Sequence, residues 1–129
     1  MALTVEIVTP ASSAWKGEAI EVLAPGILGE FGVLPQHAHL LSATRAGVVL
    51  VTHAGGKERF IVGPGFAEVG PGEVTLLVDV CMKAEAVDKT AAAEALAAAE
   101  TVLAAGTPGS VEWLTAKTKA EYAAAQLDA

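Results

Sequence analysis

Arg59-Phe60-Ile61-Val62-Gly63-Pro64-Gly65-Phe66-Ala67-Glu68-Val69-Gly70-Pro71-Gly72-Glu73-Val74-Thr75-Leu76-Leu77-Val78 decides the fold. Apolar runs of strand length alternate here with Gly63-Pro64-Gly65 and Pro71-Gly72. Each cluster stops a helix, because proline has no amide to donate and glycine loses the most backbone entropy on ordering. The same grammar extends backwards along the chain. Val48-Val49-Leu50-Val51 precedes a turn signal at Gly55-Gly56, and Leu3-Thr4-Val5-Glu6-Ile7-Val8 alternates apolar with polar residues. That period of two is the mark of a half-buried strand. Glu18 to Ala24 repeats it, with Ile20 and Val22 facing one way, ahead of a turn signal at Pro25-Gly26. Short strands with a turn every ~8–12 residues predict an antiparallel β-sandwich or flattened barrel of about ten strands over residues 1–84.

Residues 85–129 follow different rules. Sixteen of these 45 residues are alanine. Asp88 to Ala105 holds good helix formers plus Thr and Val, and Asp88 is suited to cap its N-terminus. Gly106-Thr107-Pro108-Gly109 ends that helix, with glycine in the left-handed terminal position. Ser110 caps a second helix running to about Leu127. The short link makes the pair an antiparallel hairpin. Leu96, Leu103 and Val102 on the first helix, and Trp113, Leu114, Tyr122 and Leu127 on the second, supply the large apolar side chains. Alanine fills the rest and buries little area, so the hairpin is expected to pack weakly on itself and to dock elsewhere or move.

The chain of 129 residues carries a net charge of −7. Such a surface repels phosphate backbones and anionic lipid, and its eight Lys and Arg residues are scattered, which argues against nucleic acid and charged membrane as partners. Cys81 is the single cysteine, so no intrachain disulfide forms, and it reads as a buried strand residue. Met1 to Glu6 lacks the basic and then apolar pattern of a signal peptide. No stretch approaches the ~20 apolar residues of a membrane helix.

Motifs for chemistry are sparse. There is no phosphate-binding loop and no nucleophile elbow. His37-Ala38-His39 on a strand would place two imidazoles on one face, the arrangement of cupin-like metal enzymes, and His53 is the only other histidine. Leu40 to Thr44 supplies no carboxylate to complete that set, so neither a metal nor any other cofactor is expected. Glu6, Glu18, Glu21, Glu68 and Glu73 fall on polar phases and read as a solvated face. Glu30 stands apart in Gly29-Glu30-Phe31-Gly32, a charge beside an aromatic ring in a glycine-bracketed loop. It is either presented to a partner or is a turn carboxylate with Phe31 tucked into the core. On these residues alone the chain is a metal-dependent β-barrel enzyme built on His37 and His39, or a β-sandwich adaptor with a helical tail.

A third reading comes from a resemblance. Pro25 to Leu41, through Gly29-Glu30-Phe31-Gly32-Val33-Leu34-Pro35-Gln36-His37-Ala38-His39-Leu40-Leu41, resembles the signature of the F-type ATP synthase epsilon subunit family. That signature reads Gly-Glu-aromatic or aliphatic-Gly-apolar-apolar-Pro-Gly-His-Ala-Pro-Leu-Leu. Gly47 follows at the family spacing. Phe60 to Val69 is similar to the family's Phe-x-Val-x-Gly-Gly-Phe-x-Glu-Val, and Glu73 to Leu77 to its closing strand. Gln36 and His39 depart from the pattern, as does Gly63-Pro64-Gly65, so the His-x-His pair looks like a local substitution.

The resemblance implies a non-catalytic central-stalk subunit on the cytoplasmic face of a bacterial membrane, coupling ion-driven rotation to ATP synthesis. It implies that Glu30, with Phe31 and Gly32, faces the loops of the c subunits in the rotor ring, and that His37 lies near the gamma subunit. The hairpin, residues 85–129, would be the regulatory element and meet the alpha and beta subunits. Family members that bind ATP there do so through Ile/Leu-Asp-x-x-Arg-Ala. Here Val87-Asp88-Lys89-Thr90-Ala91-Ala92 keeps Asp88 but has Ala91 where the arginine stands, so phosphate loses its bidentate partner. The hairpin's seven acids against three lysines leave it at −4, which implies a weak brake on ATP hydrolysis.

Overall fold

The computed structural model describes residues 3–34 and 39–128. Ten strands come first: β1 (Leu3–Val8), β2 (Ser13–Ala19), β3 (Glu21–Gly26), β4 (Gly29–Val33), β5 (Leu40–Thr44), β6 (Gly47–His53), β7 (Gly56–Val62), β8 (Gly65–Gly70), β9 (Glu73–Val78) and β10 (Cys81–Lys83). A 3-10 turn at Ala84–Ala86 leads into helices α1 (Lys89–Ala105) and α2 (Val111–Asp128).

The strands hydrogen-bond in the order β10-β7-β6-β3-β5-β8-β9-β1-β2, with β4 on β3. The two halves of this path meet at one bridge, Gly26 with Thr44, and fold over one another as a sandwich. All pairs are antiparallel except β1 with β9. Inward-facing residues build the core: Leu3, Val5 and Ile7 of β1, Val49 and Val51 of β6, Phe60 and Val62 of β7, and Val74, Leu76 and Val78 of β9.

At one open end Trp15 of β2 reaches across, with its ring 5.9 Å from Phe60 and 6.5 Å from His53. A small polar cluster finishes this end. His53 Nε2–H donates to Glu58 at 3.1 Å, the Gly55 amide donates to His53 Nδ1 at 3.0 Å, and Lys83 stands 3.9 Å from the same carboxylate. These two bonds fix the tautomer with the proton on Nε2.

The run from Glu18 to Ala24 is not one strand. The chain changes partners at Ile20, leaving β1 for β6, so Ile20 is 52% exposed while Val22 is fully buried. Pro25-Gly26 is not a turn but lies inside β3, and the two-residue turn is Ile27-Leu28. Pro25 is tolerated because it sits where β3 hands over from β6 to β5, so its missing amide costs no ladder bond. Gly106 is extended at φ −86, and the positive φ falls on Gly109 at +88. Gly65 is required for a different reason: a Cβ there would strike the carbonyl oxygen of Leu77.

In the hairpin, Asp88 caps α1 by accepting from the Ala91 amide at 3.1 Å, and Ser110 caps α2 through Oγ to the Trp113 amide at 3.2 Å. The fully buried helical residues are alanines, Ala92 and Ala99 facing Ala116 and Ala123. Their seven-residue spacing makes a narrow seam that lets the backbones approach closely. Leu114 is exposed and stays out of it. Trp113 instead lies over the end of α1, donating Nε1–H to the Leu103 carbonyl at 3.2 Å. Lys89 Nζ donates to the Leu127 carbonyl and ties the far ends together. α2 rests on β6 and β7, and Ile61, which points away from the core, is buried on that side.

Candidate partner-binding surfaces

Glu30 follows the Ile27-Leu28 turn at the tip of the β3–β4 hairpin. Its register there is unbroken, from Gly26 opposite Gly29 to Val22 opposite Val33. Gly29 at φ +130 accepts the turn geometry that a side chain would resist. Glu30 is exposed and has no ion-pair partner among the described residues. Phe31 points the other way and packs on the core. Its ring also closes on Gly26, where a Cβ would meet it. Phe31 therefore anchors the hairpin on the core while Glu30 is held out in solvent. Leu28 is 99% exposed, and Ile27 and Leu34 are also out in solvent. His37 lies outside the described residues.

A second surface was not anticipated. On the outer face of β5, β8, β9 and β1, cross-strand neighbours form a row of Ala43, Phe66, Leu77 and Val8. Phe66 is 53% exposed, and Leu41, beside it on β5, 70%. The Ile27 amide bonds the Ala43 carbonyl, which brings the tip of the β3–β4 hairpin alongside β5. The next rows along the same strands turn polar, with Glu68, Thr75, Glu6 and Lys16. The sequence signal was available: in β8, Phe66 and Glu68 share the outward phase, and an aromatic residue in that phase is out of place on a solvated sheet.

Of the three histidines weighed as metal ligands, His39 and His53 are described, and they belong to different clusters. His39 precedes β5, is exposed and lies beside Gly70, whereas His53 belongs to the Trp15 cluster at the other layer's end. Among the described residues no three His, Cys, Asp or Glu side chains come together at metal-binding distance. Asp88 is occupied as the α1 cap, and Ala91, at the position of the missing arginine, contributes its backbone amide to that cap.

Where the hairpin meets the sandwich, burial pushes the Cys81 thiol up. Burial also raises the Tyr122 phenol, helped by the nearby charges of Cys81 and Asp79. An apolar groove runs between the helices, lined by Ala95, Ala98, Val102, Val111 and Thr115 and reaching Tyr122. Among the described residues no helix is long and apolar enough to cross a membrane.

Residues 2–84 match the family described as ATP synthase, Delta/Epsilon chain, beta-sandwich domain. The chain is similar to the ATP synthase epsilon chain of Moorella thermoacetica, 42% identical over 87 residues, 67% of this chain and 65% of that one. It is also similar to the ATP synthase epsilon chain of Bordetella petrii, 41% identical over 91 residues, 70% of this chain and 64% of that one. It thus spans just under two thirds of the length of these relatives.

Among solved structures it superposes on a chain of the Euglena gracilis mitochondrial ATP synthase (OSCP/F1/c-ring) with a TM-score of 0.83 at 20% identity, covering 96% of this chain and 78% of that one. A chain of the Tetrahymena thermophila mitochondrial ATP synthase central stalk and c-ring gives 0.59 at 11% identity, covering 99% and 92%. At those identities the likeness is one of fold.

Proposed function

The chain belongs to the ATP synthase delta/epsilon chain family, and from that premise we propose that it is the non-catalytic epsilon subunit of the central stalk of an F-type ATP synthase. It works at the cytoplasmic face of a bacterial membrane, held there through the complex. The observation that carries the reading is the pair of surfaces on one sandwich: the Glu30 hairpin and the apolar row through Phe66.

An apolar row of this kind is covered in a working protein, and the gamma subunit is the partner the family supplies. Phe31 and Gly32 hold Glu30 outward, toward the loops of the rotor-ring c subunits, and His37 is assigned to the contact with gamma. The sandwich then transmits rotation by being gripped on two sides, with no chemistry of its own. Glu30→Lys is expected to cost about 1–3 kcal/mol at the rotor contact. Proton-driven ATP synthesis in everted membrane vesicles should fall while thermal unfolding of the free chain stays unchanged. Synthesis at the unsubstituted rate would refute the assignment of Glu30.

Residues 1–84 form the stalk-binding domain and residues 85–129 the regulatory hairpin, which meets alpha and beta subunits. Asp88 as a helix cap, Ala91 without a guanidinium and a tail at −4 favour a weak brake and no ATP sensing. Removing residues 88–129 is expected to leave ATP hydrolysis by the assembled complex nearly unchanged. A large rise in rate would sink this part of the reading.

A further inference from the structure

The edges of the sandwich are not treated alike. β2 carries Lys16 and Glu18 on its outward phase, and its pairing with β1 is broken by a register shift at Ile7–Val8. β10 is only three residues long and runs into the 3-10 turn. Charges, irregular register and short length are the usual defences against a foreign strand. β4 has almost none of them. It runs five residues in unbroken register with β3, contains Gly29 and Gly32, and holds a single charge, Glu30, between the exposed Leu28 and Leu34.

The Pro25 carbonyl accepts from the Arg45 amide at 2.9 Å, so at Pro25 the backbone of β3 faces away from β4. Pro25 and its partner Glu30 are therefore a pair without mutual hydrogen bonds. Pairs alternate along an antiparallel ladder, so Leu23 and Gly32 are another such pair. The amides and carbonyls of Glu30 and Gly32 consequently point outward, away from β3. Among the described residues nothing bonds them. Two donors and two acceptors stand in a row along an exposed edge, which is a template for one more strand.

We propose that β4 is completed in the assembled machine by an extended segment of a partner polypeptide, which adds antiparallel or parallel to its free edge and carries a Lys or Arg that meets Glu30. The inference rests on the reading of this hairpin as a stalk contact and deepens it. The backbone of Glu30 and Gly32 supplies the grip, and the Glu30 carboxylate selects a basic segment over others.

Three variants separate the possibilities, each reconstituted as the full chain into everted vesicles carrying the rest of the ATP synthase. Gly32→Pro deletes the outward amide and blocks a strand, yet removes no bond to β3. Gly32→Ala adds a similar intrusion toward Leu23 but keeps the amide. Glu30→Gln removes the charge and keeps the edge. Strand addition predicts that Gly32→Pro weakens retention of the chain by about tenfold or more, that Gly32→Ala does not, and that Glu30→Gln has a smaller effect.

A loss with Glu30→Gln and none with Gly32→Pro overturns strand addition while leaving the stalk contact in place. Retention unaffected by all three overturns the stalk contact at this hairpin itself. Should Gly32→Pro fail to fold, amide exchange of the unsubstituted chain decides. The Glu30 and Gly32 amides are expected to exchange about tenfold more slowly in the complex than in the free chain. Equal exchange overturns the proposal.

Discussion

Phe60→Ala is expected to remove about 3–5 kcal/mol of stability, the range for truncating a buried aromatic residue. Domains of this size hold about 5–15 kcal/mol in total, so the variant should be partly unfolded at physiological temperature. The size of the effect follows from its position. Phe60 is fully buried in β7, pairs with Val49 and Lys83 on its two sides, and is the ring that Trp15 reaches from the opposite layer. Losing it opens a cavity where the two sheets are braced. The neighbours are β-branched valines with few rotamers, so they relax poorly into the space. Urea unfolding followed by tryptophan fluorescence measures it, because Trp15 reports on this contact. A loss below about 1 kcal/mol would mean that the layers close over the gap and that the Trp15–Phe60 contact does not brace them.

Phe66→Asp is expected to have the opposite profile. The side chain points outward from β8, so the substitution empties no core space, and unfolding of the free chain should shift by no more than about 0.5 kcal/mol. Binding should suffer heavily. Buried aromatic anchors at interfaces contribute about 2 kcal/mol or more, and a charge set into the row of Ala43, Leu77 and Val8 adds desolvation. The expected outcome is at least about thirtyfold weaker association with the gamma subunit, read by co-purification and by titration. Undiminished association would remove this face from the stalk interface and leave the exposed row without a role.

The two substitutions sit six residues apart and differ only in phase and layer. That phase was legible from the chain. The alternation in Leu3 to Val8, the runs around Val48, Phe60 and Val74, and the turn signals at Gly63 and Pro71 specified short strands and a sandwich. The alanine-rich tail with caps at Asp88 and Ser110 specified two helices, and the glycine-bracketed Glu30 segment was set apart from ordinary turns. These features are local. They depend on backbone entropy, on missing amides and on side-chain period, which neighbouring residues carry with them wherever the chain goes.

Other features depend on which distant segment lies alongside. The Glu18 to Ala24 run looked continuous, because a change of pairing partner at Ile20 leaves no trace in alternation. Pro25-Gly26 looked like a turn because proline carries a missing amide and a fixed φ wherever it stands. That this amide faces no ladder bond is a matter of where β5 and β6 take over from one another. Phe66 is outward by its phase, but its company with Leu77, Val8 and Ala43 arises from long-range register. The helical seam fell on Ala92, Ala99, Ala116 and Ala123 rather than on the leucines, since alanine buries too little surface for local preference to decide and close backbone fit does. The free edge of β4 belongs to the same class. Sequence composed the strand and placed Glu30 in it, but only the tertiary arrangement, by setting β3 on one side of β4 and nothing described on the other, left its outward amides and carbonyls open.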